Sequence, residues 1–427
     1  MTYVLIGNGI ATIGAIEGIR KSDKDGKIIV IGAEKSPAYG RPLISYLLAG
    51  KISRDQLALR PEEFYDRSGV ELRLGTTVDK LDAAARTVTT DKGETIAYDK
   101  LLMATGGTPF QPPIPGSDGP DIYNFTNLEH AQQLITLARD MKRAVVIGGG
   151  LIGLKAAESL FDRGVEVTIL ELSPRILSLA FDSNAARLAA KRLDEVGLSV
   201  RCGVSAKEIM RGDDGHVKGV LLTDGTFLET EVVVVAIGVV PNYDLAKKAG
   251  IKTDKGLVVD DYMVTSDPAV YAAGDVAQAR DLLADENRVV PIWTNAYNQG
   301  YCAGKNMSGT SSPYIGGLAM NSISFYGLPT VSVGTVNPPD DDSCEVFTDL
   351  NEKKQSYRKL VFQGDHLVGY VLVGDIDQAG MYTAFIKFQF PIPAEAKEAL
   401  IAGQPGVLLW PEQFIEDTWN PKSTPGA

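Results

Sequence analysis

One pattern occurs twice in this chain, and it constrains the fold more than any other feature. Residues 3–9 read YVLIGNG and residues 144–150 read AVVIGGG, each an apolar run that stops on glycines. A helix-like segment follows each, then a second apolar run ending in an acid, Glu34 in one copy and Glu171 in the other. From Gly7 to Glu34 is 27 residues and from Gly148 to Glu171 is 23, and the polar stretch 21–27 absorbs the extra length as a loop. This is the layout of a βαβ unit that binds a dinucleotide. The first glycine permits a tight turn, and the second (Gly9, Gly150) lets backbone N–H groups reach a pyrophosphate. The helix N-terminus adds partial positive charge, and the acid accepts hydrogen bonds from the adenosine ribose. The second copy keeps a third glycine, Gly153, for close helix–strand packing. The first has Thr12 there, with Gly14 two residues on, which predicts a modest local rearrangement.

Composition narrows the remaining choices. A chain of 427 residues suggests about three domains. The formal net charge of -12 makes nucleic acid and anionic membrane poor partners, and an acidic protein partner would need a local basic landing site. No stretch approaches the ~18 apolar residues of a membrane span. The N-terminus lacks a basic leader and runs straight into the glycine motif, so no signal peptide is expected. Cys202, Cys302 and Cys344 lie far apart, which disfavours a disulfide scaffold, a metal site and a dithiol centre and points to the reducing cytoplasm.

Two further segments assign the copies. KLLMATGG (100–107) ends an apolar run on Thr-Gly-Gly, and TSDPAVYAAGDVA (265–277) ends on Gly-Asp. With AIGVVPN (236–242), GGGLIG (148–153) and WTNAYNQGYCAGKNMSG (293–309), the chain resembles the pyridine nucleotide–disulfide oxidoreductase superfamily over about residues 1 to 335. The resemblance implies an α/β fold: two Rossmann-like dinucleotide-binding domains, the NAD domain inserted in the FAD domain, plus a small C-terminal α+β domain. The FAD domain would comprise residues 1–110 and 243–325, the NAD domain 111–242, and the C-terminal module with its tail 326–427. The proline-rich PFQPPIPG (109–116) suits the first crossing and VVPN (239–242) the second.

Residue by residue, the resemblance implies that FAD meets Gly7, Gly9, Ile10, Glu34, Arg41, Pro42, Val78, Ala104, Thr105, Gly106, Gly274 and Asp275. NAD would meet Gly148, Gly150, Ile152, Gly153, Glu171 and Gly238. Asp275 would hydrogen-bond the flavin's ribityl and phosphate region. Arg41 would either pair with an FAD phosphate through its planar fork or form a plain salt bridge. A carboxylate at Glu171 suits a ribose 2′-OH and repels a 2′-phosphate, so NADH is favoured over NADPH, with Arg175 four residues on blurring the contrast.

Disulfide-type relatives carry redox cysteines in the stretch matching AYGRPLISYLLAGK (38–51), where this chain has Ser45 and no thiol. Disulfide reduction and cysteine-sulfenate chemistry are therefore unexpected. Cys302 reads as a small core residue in preference to a redox group. The RPLIS pattern is more similar to rubredoxin reductases, ferredoxin reductases and the flavin domain of assimilatory nitrite reductases. The implied activity is an FAD-dependent NAD(H) oxidoreductase that exchanges a hydride with NADH and passes electrons to or from an iron–sulfur, ferredoxin or rubredoxin-type protein. An oligomer, or a place as the NAD-reactive subunit of a larger redox complex, fits the same reading. Two departures stand out: Tyr46 follows the serine where many relatives have lysine, and Lys155 stands where many have glutamate. As the candidate catalytic residue, Lys155 would either place a cation near the nicotinamide–flavin contact or pair with Glu158 one turn along. The rival functions are an NADH oxidase reacting with oxygen and a redox-dependent binding module.

In the C-terminal part, PTVSVG, KLVFQG and LVGYVLVG read as strands. Lys353, Lys354, Arg358 and Lys359 form a basic cluster, which is either a docking site for an acidic redox partner or a local balance to the preceding acids. The last 22 residues, with two tryptophans, suggest packing on the chain itself or on a partner.

Overall fold

The computed structural model describes residues 1–284 and 286–403. The chain forms two compact units, one from residues 1–177 and 193–319, the other from 178–192 and the chain from 320 onward.

The first unit contains two five-stranded parallel sheets of matching design. In one, Thr2–Ile6 lies between Lys27–Gly32 and Lys100–Met103, with Val70–Leu74 and Val270–Ala272 outermost. In the other, Arg143–Ile147 lies between Glu166–Glu171 and Val232–Val235, with Ser199–Cys202 and Ile122–Tyr123 outermost. Strands buried on both faces need near-continuous apolar sequence, which YVLI, IIVI, AVVI and VVVV supply. In each sheet the chain reverses direction beside its central strand, which opens a crevice at the strand carboxyl ends. The two crossings between the sheets pair as an antiparallel ribbon, Gly107–Pro109 with Val239–Pro241.

The closest helix contact in this unit joins Ile10–Ser22 to Trp293–Met307. A Cβ at Gly300 would stand 1.9 Å from the Ala11 carbonyl oxygen, and one at Gly304 would stand 2.2 Å from that of Ala15. Gly14 and Gly18 meet the carbonyls of Tyr297 and Tyr301 in the same way, each at 2.4 Å. Gly14 therefore serves this helix pair and does not stand in for the missing third glycine.

The second unit is a five-stranded antiparallel sheet in the order Met320–Phe325, Leu328–Gly334, His366–Val373, Ser356–Gln363, Glu345–Asn351. The helix Ala379–Phe388 covers it, with the Tyr370 and Tyr382 rings 5.4 Å apart and Tyr370 Oη 2.7 Å from Thr383 Oγ1. Residues 178–192, expected in the NAD domain, group here because Asp182 accepts from Tyr357 Oη at 2.5 Å and pairs with Lys359 at 3.3 Å. The C-terminal 22 residues lie outside the described residues.

Candidate functional site

The two glycine turns are built alike atom by atom. Gly7 and Gly148 have φ of +102° and +114°, a region that only glycine adopts without strain. A Cβ would lie 2.0 Å from the Ala104 carbonyl oxygen at Gly7 and 2.4 Å from that of Ala236 at Gly148. Gly7 N–H donates to Ile31 O and Gly148 N–H to Leu170 O, both at 2.8 Å. Gly9 and Gly150 then cap the helices Ile10–Ser22 and Leu151–Phe161 with no side-chain hydrogen bond, and a Cβ at either would meet nothing within 4 Å. Each turn thus presents first-turn N–H groups and the positive end of a helix to open space, the requirement for holding a pyrophosphate.

The copies differ at the third glycine position. A Cβ at Gly153 would sit 1.9 Å from Gly148 O, so that helix lies against its own turn. In the first copy Thr12 is fully buried and its hydroxyl donates to Gly7 O at 2.8 Å, replacing close packing by a hydrogen bond.

Around the first turn the structure gathers most of the expected FAD residues. Gly7 touches Ala104 and Thr105, and Ile10, Val78 and Ala104 pack half-buried against the same core. Thr105 is fixed by Asn242, whose backbone oxygen accepts its hydroxyl at 2.8 Å and whose amide donates to Thr105 O at 3.0 Å. Gly274 N–H donates to Gln299 Oε1 at 2.8 Å and presents Asp275 beside it. Burial pushes the Asp275 carboxyl up, and Arg41 acts in the opposite direction. Arg41 pairs with Glu34 at 2.6 Å and donates to Thr126 O at 2.7 Å, so its fork joins two protein acceptors. Pro42 is exposed in the short turn Arg41–Leu43, and Val78 opens a separate antiparallel strand.

At the second turn, Glu171 accepts from Gly149 N–H and from Ser173 N–H, both at 2.7 Å. Gly238, with φ +116°, opens the crossing ribbon. Ile152 lies on the first turn of the helix Leu151–Phe161, and Lys155 pairs with buried Glu158 at 2.5 Å. Burial raises the Glu158 carboxyl, against the opposing pull of Lys155. This helix lies against the short helix Ile44–Leu48: Ser159 Oγ contacts Ser45 O at 2.9 Å, Arg163 donates to Leu48 O, and Lys51 pairs with Asp162 at 2.6 Å. The segment without the redox cysteine is thus a polar brace between the two sheets' helices.

The family comparison decides how these cradles are read. The model of the pyridine nucleotide-disulphide oxidoreductase family matches residues 1–300. The chain belongs to that family. The rubredoxin NAD+ reductase C-terminal domain matches residues 320–389. A nitrite reductase [NAD(P)H] of Bacillus subtilis is 33% identical over 93% of this chain and 48% of its own length. Subunit epsilon of the NADH-dependent phenylglyoxylate dehydrogenase of Aromatoleum evansii is 32% identical over 90% of this chain and 91% of that subunit. A rubredoxin-NAD(+) reductase of Pseudomonas putida is 31% identical over 73% and 81%. The crystal structure of the ferredoxin reductase for the CYP199A2 system of Rhodopseudomonas palustris superposes with a TM-score of 0.85 at 27% identity, covering 96% of this chain and 98% of that one. The chain spans about half the length of the nitrite reductase and of the assimilatory nitrate reductase electron transfer subunit that it also matches.

Pyridine nucleotide-disulphide oxidoreductases use FAD and NAD(H), and the residues present fit both. The uncapped glycine turns suit two pyrophosphates, and Glu34 and Glu171 suit two riboses. Within the first turn, between Gly7 and Gly9, Asn8 Nδ2 is buried without a hydrogen-bond partner among the described residues. Sequence reasoning missed this asparagine and its support, Tyr65, whose hydroxyl donates to Asn8 Oδ1 at 2.9 Å. It also missed Tyr39. Neither carries a motif, since their partners are distant in sequence.

Burial bears on two expectations outside the cradles. Cys302 is buried, its Sγ donates to Ser312 O at 2.8 Å, and burial pushes its thiol up to about 12. The basic cluster is divided by the fold. Lys359 is buried and paired with Asp182, and Arg358 donates to Leu400 O and Ile401 O at 3.2 and 2.6 Å. Strand alternation sends these neighbours to opposite faces, both toward internal acceptors, leaving Lys353 and Lys354 exposed in the turn.

Proposed function

We propose that this chain is an FAD-dependent NADH:acceptor oxidoreductase, with FAD in the cradle of Gly7 and Glu34 and NADH in that of Gly148 and Glu171. The observation that carries the reading is the duplicated cradle: two uncapped glycine turns with the same bonds, each with a carboxylate nearby, in one compact unit. Bound FAD takes up two electrons together and releases them singly, which suits an iron–sulfur, ferredoxin or rubredoxin-type acceptor. The chain's own contribution is positioning. Gly9 and Gly150 admit the pyrophosphates, Glu34 and Glu171 hold the riboses, and the Thr105–Asn242 pair fixes the loop at the FAD turn. The brace from Ser45 to Ser159 ties the short helix Ile44–Leu48 to the helix that follows the NAD turn. Lys155, neutralised in part by Glu158, sets the charge on that same helix.

The match to nearly the whole of subunit epsilon supports a place as the NAD-reactive subunit of a larger redox complex. A second reading, an NADH oxidase, is favoured by the Methanocaldococcus jannaschii NADH oxidase, 33% identical over 74% of this chain. The three dispersed cysteines favour a reducing cytoplasm, and among the described residues no helix is long and apolar enough to cross a membrane. Purified protein should reduce ferricyanide and a rubredoxin or ferredoxin with NADH while consuming oxygen slowly. Oxygen uptake as fast as carrier reduction would give the oxidase reading instead.

A further inference from the structure

The tyrosine beside the first acid has a bonding pattern that ordinary packing does not require. Tyr39 Oη donates to Glu34 Oε2 at 2.7 Å and accepts from Leu128 N–H at 2.8 Å. Leu128 is the first residue of the helix Leu128–Leu137, where a backbone N–H has no partner within the helix. Asn127 caps the same helix by accepting from His130 N–H at 2.8 Å, so Tyr39 supplies a second acceptor at that terminus. The Tyr39 ring lies under the Arg41 guanidinium, 5.3 Å from its centroid, while Arg41 bonds the other oxygen of Glu34 and the Thr126 carbonyl. Burial pushes the phenol well above its ordinary range, so at neutral pH it carries its proton and can only donate to the carboxylate.

We propose that Tyr39 is a positioning residue for FAD: anchored by the Leu128 N–H, it fixes the Glu34 carboxylate for the adenosine ribose. The proposal rests on the reading of Glu34 as the ribose acceptor. A glutamate carboxylate, set on several rotatable bonds, would otherwise sample several rotamers, and holding it in one removes that loss from binding. The anchor lies in residues 122–137, which belong with the second sheet, so the grip on FAD depends on how that part is seated. The arrangement extends the brace of Ser45 and Ser159 to the adenosine end of the site.

The test uses the full chain stripped of flavin and titrated with FAD and with FMN, which has no adenosine. Tyr39→Phe removes one hydroxyl and keeps the ring under Arg41. It should weaken FAD binding about tenfold, the scale of a lost hydrogen bond to a charged group, and leave FMN binding unchanged. In a Glu34→Ala background the same substitution should have no further effect. Equal loss of FAD and FMN affinity, or an undiminished loss without Glu34, would mean general destabilisation and overturn the proposal. No loss in Tyr39→Phe while Glu34→Ala weakens FAD would overturn it with the ribose reading intact. No loss of FAD affinity in Glu34→Ala would overturn the ribose reading itself. Should Tyr39→Phe not fold, Arg41→Gln, which frees the other oxygen of Glu34, should show the same FAD-only loss.

Discussion

The helix pair behind the FAD cradle gives the sharpest quantitative prediction, Gly300→Ala. The added Cβ would stand 1.9 Å from Ala11 O, 2.7 Å from Ala11 C and 2.9 Å from Ala11 Cα, all backbone atoms that no side-chain rotation can move aside. The helices must separate by roughly 1 Å, which abandons contacts along the seam shared by Gly14, Gly18 and Gly304. Overpacking of this kind costs about 1–3 kcal/mol or more. The higher helix propensity of alanine offsets up to about 1 kcal/mol. A net loss of about 1–2 kcal/mol should lower the unfolding midpoint of a unit this large by about 2–3 °C. Because Ala11 lies on the first turn behind the pyrophosphate cradle and near Gly274, FAD affinity should fall as well. Thermal unfolding and FAD titration of the purified variant measure both effects. Gly380→Ala is the control: exposed, on a helix, with nothing within 4 Å of a new Cβ, it should be neutral or slightly stabilising. If Gly300→Ala melts with the native protein and keeps its FAD affinity, the close approach is not a feature of the molecule.

Substitutions at three other residues probe the chemistry. Glu171→Gln should narrow the NADH preference about tenfold in kcat/KM, the scale of one like-charge contact removed from a 2′-phosphate, and Glu171→Ala should also loosen the loop held by Gly149 and Ser173; equal rates with both nucleotides in the native protein would contradict this. Cys302→Ala should leave carrier turnover within about twofold and cost about 1 kcal/mol, and Cys302 should resist alkylation until the chain unfolds; labelling of the folded protein followed by mass spectrometry checks it. The Glu158 carboxyl is held above its ordinary value, so its ionisation costs stability above the unfolded value, and that cost disappears as pH falls below it. Removing the opposing cation with Lys155→Met should therefore lower the unfolding midpoint more at about pH 8 than at about pH 4, and an equal drop at both would refute the assignment.

Much of the site was legible because dinucleotide binding imposes local rules. The turn, the open helix terminus and the acid at the strand end fall within one short stretch of sequence, and Gly7, Gly9, Glu34, Gly148, Gly150 and Glu171 follow from spacing alone. The support around them was not legible, since Tyr39 reaches Leu128 and Tyr65 reaches Asn8 across long sequence separations. The role of Gly14 in the helix pair was hidden for the same reason, its steric partner being Tyr297 on a distant helix. In the C-terminal unit the three apolar runs appeared as strands. The edge strand Glu345–Asn351 did not, because it is almost wholly exposed and its apolar residues, Val346, Phe347 and Leu350, do not alternate with polar ones. The basic run showed its charge but not its surface, because Arg358 and Lys359 alternate between the faces of a strand while Lys353 and Lys354 stay exposed in the turn.

The central claim is that one chain brings FAD and NADH together through two like cradles, and an anaerobic NADH titration of the FAD-loaded protein tests it most directly. The account predicts about one FAD per chain, whose oxidised visible absorption is lost on adding about one equivalent of NADH and returns on adding an oxidised iron–sulfur or rubredoxin-type protein. A chain that binds FAD but leaves it oxidised in excess NADH, or that binds no FAD at all, would contradict it.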